Sequence, residues 1–253
     1  MPEVWVAAMR FYDLNLRLHF AEPVTSRMIK KSANLGYGAV AISFPMNCER
    51  KTVERINEIC SKFELEMITR CDLTPRNRGD LLRSLGRYRE RFDIMNVRCF
   101  SKEVSRQAAK DPRIDMISFP SSNPRKRFFD ASEAALASEV SICLEIEMTP
   151  LLLLDGLDRI RLISYLRKEI QNAKKHDVPL ILTSGTYEPH LLRKPTDYGF
   201  LAYLVGLDFN SAKKAMSSEP ENMIERNRKK SNPNCITAGV RLIDDPDKRV
   251  TNE

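Results

Sequence analysis

A regular alternation of short strand-like segments with helical ones is the strongest constraint on this chain. Strand-like stretches occupy residues 11–18, 39–44, 66–73, 93–99, 116–119, 140–148 and 179–184. Helical stretches lie between them at 24–35, 52–63, 80–91, 103–110 and 130–139, and a later helix is expected over 191–207 with Pro195 near its start. The clearest helix, 158–175, carries Ile160, Ile163, Leu166, Ile170 and Ala173 on one stripe with charges elsewhere. Strands separated by helical connections pair in parallel, since a parallel neighbour is reached only by a long crossover. At 253 residues the chain has the length of one α/β barrel.

Polar residues inside the strands favour a barrel over an open sheet. In the first strand Asp13, Asn15 and Arg17 alternate with Tyr12, Leu14, Leu16 and Leu18. The third strand offers Arg70 and Asp72, the fourth Asn96 and Arg98, the sixth Glu145 and Glu147. The helix-covered face of a parallel strand should be apolar, so the polar face is assigned to a barrel lumen. There the acids Asp13, Asp72, Glu145 and Glu147 meet the bases Arg17, Arg70 and Arg98, four against three. Such near balance suits a paired interior, because an unpaired buried charge costs several kcal/mol. The expected fold is α/β and TIM-barrel-like, with seven or eight parallel strands and an incomplete barrel allowed. It spans residues 1–243 as a single domain, with 239–243 as a candidate final strand and 244–253 as a disordered tail. Asp13, Asn15, Arg17, Arg70, Asp72, Asn96, Glu145 and Glu147 form the expected structural network of the lumen.

The same acids could in principle hold a metal. The chain has three histidines, His19, His176 and His190, and none is spaced as a ligand pair. Cys48, Cys60, Cys71, Cys99, Cys143 and Cys235 contain no C-x-x-C pair and read as reduced core thiols. No phosphate-cradling glycine loop or nucleophile elbow is present. Thr183-Ser184-Gly185-Thr186 reads either as a simple turn or as an anion contact after strand seven. No catalytic residue, metal ligand or cofactor is assigned. The longest run of large aliphatics, Leu151 to Leu154, is far too short to span a membrane, and the first residues do not read as a secretory leader. The expectation is an intracellular protein with no membrane partner.

Arginine is the concentrated chemistry. Lys and Arg total 41 against 34 Asp and Glu, a net charge of +7. From Arg70 to Lys102 there are nine bases against four acids. Further clusters are Arg125-Lys126-Arg127, Arg193-Lys194 and the run Arg226, Arg228, Lys229, Lys230. One basic run is usually a solvated face. Four, on loops and helix ends, fit phosphate contacts, which arginine makes bidentately. The candidate nucleic-acid-binding residues, which the resemblance given next makes RNA-binding, are Arg76, Arg78, Arg98, Arg125, Lys126, Arg127, Arg193, Lys194, Arg226, Arg228, Lys229 and Lys230. The 125–127 and 193–194 groups are expected to share the carboxyl-terminal face of the barrel.

From about residue 11 to 243 the sequence resembles the ribonuclease P protein component 3 family, the barrel-like subunit of archaeal and eukaryotic ribonuclease P. Its carriers are Phe11-Tyr12-Asp13-Leu14-Asn15, Leu35-Gly36-Tyr37-Gly38-Ala39-Val40-Ala41, and 109–117 with its Arg113-Ile114-Asp115 junction. They continue through Ile181-Leu182-Thr183-Ser184-Gly185, Leu192-Arg193-Lys194-Pro195-Thr196-Asp197, Gly206-Leu207, Ala212-Lys213-Lys214-Ala215 and Ile224-Glu225-Arg226-Asn227-Arg228. The resemblance implies a subunit without intrinsic activity that supports the catalytic RNA in removing the 5′ leader of precursor tRNA. It also implies ribonuclease P RNA, component 2 and other subunits as partners, with precursor tRNA contacted indirectly. The alternative is a metal-dependent barrel phosphoesterase related to the polymerase-and-histidinol-phosphatase type. That type opens with H-x-H on strand one, where this chain has Asp13-Leu14-Asn15. The absence of a long basic tail after Ile243 looks archaeal, which implies the cytoplasm; a eukaryotic member would be nuclear.

Overall fold

A computed structural model describes residues 9–123 and 126–230, with the backbone of 235–237 and 240–241. Seven strands pair in parallel in sequence order: β1 (Tyr12–Leu16), β2 (Ala39–Ser43), β3 (Glu66–Leu73), β4 (Ile94–Arg98), β5 (Met116–Ser118), β6 (Cys143–Glu147) and β7 (Leu180–Thr183). The crossovers are α1 (Glu22–Asn34), α2 (Arg50–Ser61), α3 (Arg78–Tyr88), α4 (Lys102–Ala108), α5 (Ala131–Glu139), and α6 (Thr149–Leu153) with α7 (Gly156–Lys175). Local chemistry fixes their starts. Asn77, Ser101 and Asp130 each accept a backbone N–H from the first turn of α3, α4 and α5, satisfying a donor the helix cannot. The sheet's outer face packs Val40, Ile42, Val97, Ile117 and Leu144 against these helices.

Among the described residues no eighth strand fills the seam between β7 and β1, so the barrel is nearly closed but incomplete, its two edges bridged at points rather than paired along their length. At the carboxyl end the two edges meet directly: Arg17 N–H donates to Thr186 O (3.1 Å) and Gly185 N–H to Asn15 O (3.1 Å). At the amino end the turn after α9 (Phe209–Lys214) is wedged between them, with Ala215 O accepting from Leu182 N–H and Met216 O from Tyr12 N–H. The candidate final strand lies elsewhere. Val240–Arg241 pairs antiparallel with Cys235–Thr237 in a separate two-stranded sheet, and the expected tail at 244–253 falls outside the described residues.

Helix α10 (Ser218–Lys230) closes the amino-terminal end of the barrel. Its Met223 and Ile224 pack with Tyr12, Leu14, Ala39, Ala41, Ile68, Ile94, Met116, Cys143 and Ile181, the apolar lower tier of the lumen. Asn227 Nδ2 donates to Asp93 O (2.9 Å), just before β4. Two expectations change in the outer helices. In α7 the buried stripe is Leu162, Leu166, Glu169, Ile170 and Ala173, while Ile160 is 63% exposed. The single helix expected from 191 to 207 is α8 (Pro195–Leu201) plus a 3-10 turn, because Pro195 opens a helix readily and cannot continue one. Burial pushes the thiols of Cys60, Cys71 and Cys143 up to about 12, as inert core cysteines require.

Candidate functional site

Above the apolar tier the lumen is a network centred on Arg70, which is fully buried. Its guanidinium grips Glu145 with both forks, Nη1 to Oε1 and Nη2 to Oε2, each at 2.7 Å. Nε and Nη2 donate to Asp72 Oδ1 (3.0 and 2.6 Å), and Nη1 also reaches Leu14 O (2.6 Å). All five N–H donors of the side chain therefore have acceptors. Asn96 Nδ2 adds a bond to Asp72 Oδ1 (2.6 Å), Ser43 Oγ one to Asp72 Oδ2 (2.6 Å), and Thr183 Oγ1 one to Glu145 Oε1 (2.8 Å). Burial alone would lower the Arg70 pKa, yet the charges of Asp72 and Glu145 hold it well above its ordinary value. Burial likewise opposes ionisation of Asp72, and the Arg70 charge overcomes it, leaving that carboxyl well below the usual range.

Nearer the mouth, Asn15 Nδ2 bridges Glu145 Oε1 (2.9 Å) and Glu147 Oε1 (3.3 Å). Arg17 pairs with Glu147 and donates to Gly185 O (3.0 Å), while Arg98 stands 3.8 Å from Glu147. Gly185 has φ +64°, and a Cβ there would lie 3.1 Å from the Glu147 side chain, so glycine is needed on both counts.

Asp13 is not part of this network. The register of β1 against β2 shifts between Asp13 and Leu16, so strict alternation fails: Tyr12 and Leu14 face the lumen, and so does Asn15. Asp13 lies on the outer face and accepts from Ser184 N (2.9 Å) and Asn15 N (3.2 Å), near Tyr37 and Tyr198. Burial raises its pKa, against the pull of the Ser184 and Asn15 hydrogen bonds. With Asp13 removed, the lumen holds Asp72, Glu145 and Glu147 against Arg17, Arg70 and Arg98: three acids, three bases.

The basic candidates divide between the two ends of the barrel. Arg76 and Arg78 are exposed where β3 leads into α3, and Lys126 is exposed on the loop after β5, all at the carboxyl-terminal face. Arg98 is half-buried in the mouth. Arg125 lies outside the described residues. Arg127, expected on the surface, is buried instead: its Nε and Nη2 grip Glu169 of α7 (2.8 and 2.6 Å), and Nη1 donates to Phe119 O (3.1 Å). Arg193 and Lys194 do not share a face with Lys126. The segment 184–194 descends the flank of the barrel, so that Tyr37 Oη donates to Arg193 O (3.0 Å) and Lys194 lines a cleft with Phe11, Leu35 and Gly36, where β1 begins. Arg226, Arg228, Lys229 and Lys230 sit on α10 at that same end. There Arg226 donates to Ser141 O (2.5 Å), Arg228 pairs with Glu66, and Lys229 lies 3.4 Å from Glu225.

Among the described residues no group of three or more His, Cys, Asp or Glu could hold a metal ion, and no helix is long and apolar enough to cross a membrane. Sequence reasoning missed an aromatic cluster at the mouth, Phe20, Phe44, Tyr88 and Tyr187. Three of these follow a strand end by a few residues, where barrels place their ligand loops, and that position was the one signal in the sequence.

The sequence profile described as RNase P subunit p30 matches residues 10–232. A curated relative, ribonuclease P protein component 3 of Methanosarcina barkeri, is 28% identical over 94% of this chain and 98% of its own length. The protein of the same name from Methanosarcina acetivorans is 31% identical over 72% of this chain and 75% of its own. The fold is similar to that of a chain in a cryo-EM structure of archaeal ribonuclease P with mature tRNA. That match has a TM-score of 0.80 and 21% identity, and covers 93% of this chain and 99% of the other.

Proposed function

This chain belongs to the RNase P subunit p30 family, and from that premise we propose that it is a cytoplasmic protein subunit of ribonuclease P, supporting the catalytic RNA in removing the 5′ leader from precursor tRNA. Its partners on this reading are ribonuclease P RNA, component 2 and the other protein subunits, with precursor tRNA met through the assembly. The geometric observation that carries the reading is the saturation of the lumen. Asp72 and Glu145 are occupied by Arg70 and its neighbours, and Glu147 by Arg17 and Asn15, so the place where a barrel hydrolase gathers catalytic groups is filled by the protein's own cations. Arg76 and Arg78 stand outside, exposed where β3 leads into α3, as a partner with a phosphate backbone requires. The phosphoesterase reading has no comparable support, since its four acids do not converge and Asp13 lies across the strand from the other three.

Titration with cognate ribonuclease P RNA at several salt concentrations tests the reading. Replacing Arg76 and Arg78 with alanine should lower the slope of log K against log salt by about 0.7–0.9 for each phosphate that is no longer neutralised. Salt-independent binding, or none by the wild-type chain in the presence of component 2, would remove RNA as the partner.

A further inference from the structure

Beside the barrel mouth, at the carboxyl ends of β1, β2 and β3, lies a cavity of about 630 Å³, within the range of small-ligand sites. Its walls are the rings of Phe20, Phe44, Tyr88 and Tyr187, and its floor is Ser43 and Asp72. Backbone and ring contacts fix these walls. Phe20 sits at φ 57°, a left-handed conformation that bulky residues adopt rarely, and this turns its ring onto Phe44 with centroids 5.5 Å apart and planes 30° apart. The Arg17 guanidinium lies 5.6 Å from the centre of the Tyr187 ring.

The floor presents acceptors. Ser43 commits its hydroxyl proton to Asp72 Oδ2, which leaves its oxygen as an acceptor on the cavity lining, and Asp72 Oδ1 is taken by Arg70 and Asn96. A flat ligand with adjacent N–H donors on one edge matches that pair of oxygens. The rim is cationic. Arg55 Nη2 donates to Phe20 O (3.1 Å), Arg91 Nη2 donates to Cys48 O (3.2 Å), and both side chains are exposed beside the loops that wall the cavity. Aromatic walls, an acceptor floor and a guanidinium rim together describe a nucleotide.

We propose that this cavity receives one unstacked purine base of a bound RNA, guanine by preference, with its flanking phosphates against Arg55 and Arg91. Guanine offers N1–H and N2–H side by side, whereas uracil offers one N–H between two carbonyls that would face the Asp72 carboxylate. The proposal rests on the RNA-binding reading above and adds the base pocket to it.

The test uses the full chain, followed by NMR or calorimetry with guanosine 5′-monophosphate, uridine 5′-monophosphate and ribose 5-phosphate as probes. The guanine nucleotide should bind several-fold tighter than the uridine nucleotide, and ribose 5-phosphate should compete poorly. Tyr187→Ala, at a site 47% exposed, should keep the melting temperature and weaken the guanine nucleotide about fivefold to a hundredfold, the range expected when one base–aromatic stack is removed. Arg91→Ala should flatten the salt dependence of that binding while keeping the base preference. Equal binding of ribose 5-phosphate, or unchanged affinity in Tyr187→Ala, would overturn the base pocket. A parallel titration with ribonuclease P RNA separates the two claims. RNA binding without nucleotide binding sinks the pocket alone, and absence of RNA binding by the wild-type chain sinks both.

Discussion

Removing the Arg70 guanidinium while keeping most of its volume, as Arg70→Met, isolates the charge network that fills the lumen. Arg70 and Glu145 have no exposed side-chain surface, and Asp72 has 18%, so water cannot replace the missing donors at Glu145. The substitution strands one fully buried and one mostly buried carboxylate, and breaking such a pair from one side costs about 3–5 kcal/mol. For a chain of this length each kcal/mol moves the melting temperature by about 2–4 °C, so a drop of about 6–20 °C is expected in a calorimetric melt at neutral pH. The pH dependence carries an independent sign. In the wild type Asp72 has a depressed folded pKa, so its contribution is present above the unfolded carboxylate range and is lost as pH falls toward the folded value. Without Arg70 that depression disappears and burial favours the protonated Asp72 carboxyl, so acidification toward pH 5 should restore part of the stability. A double variant, Arg70→Met with Glu145→Gln, should recover part of the loss at neutral pH. A single variant that melts within a degree of wild type at pH 7 would refute the account of the interior at its centre.

Three other residues carry outcomes of their own. Glu133 is buried at the first turn of α5 and shares hydrogen bonding with Asp130; burial, then Asp130, pushes it up to about 7 from 4.5, so it holds its proton more tightly folded than unfolded. Stability should therefore fall as pH rises from about 4.5 to about 7, and Glu133→Gln should flatten that slope in denaturant titrations; an unchanged slope would show the proton sits elsewhere. Arg127→Ala should destabilise by about 3–5 kcal/mol by stranding Glu169, whereas Lys126→Ala should stay within about 0.5 kcal/mol; equal melts would place Arg127 on the surface after all. Gly185→Ala should destabilise by more than about 1 kcal/mol, since it combines a positive φ with a Cβ 3.1 Å from Glu147, and a neutral result would mean the loop relaxes freely.

The order and type of the barrel elements were legible because period-two and period-3.6 patterns report burial directly, and all seven strands lie where the pattern puts them. Arg70, Asp72, Asn96, Glu145 and Glu147 were also legible as one lumen set, because β3, β4 and β6 keep strict alternation. Asp13 was not, since a one-residue irregularity in β1 exchanges the faces after it and no residue there announces a bulge. Arg127 and Glu169 were misread for a common reason: a charged residue is scored as exposed until its partner, 42 positions away, is known to face it. The place of Arg193 and Lys194 depended on the path of the segment 184–194, and loop direction leaves no periodic trace. The aromatic cavity is assembled from four separate segments, each contributing a single ring, so only the fold brings them together.

The most direct measurement of the central claim is cleavage of precursor tRNA by cognate ribonuclease P RNA at low magnesium, with component 2 present and this chain either added or withheld. Addition should raise the rate of 5′-leader removal and lower the magnesium needed for half-maximal cleavage, and Arg70→Met should give less of that activation in proportion to its unfolded fraction. Cleavage that is the same with and without the folded chain, across the magnesium series, would contradict its role as a ribonuclease P subunit.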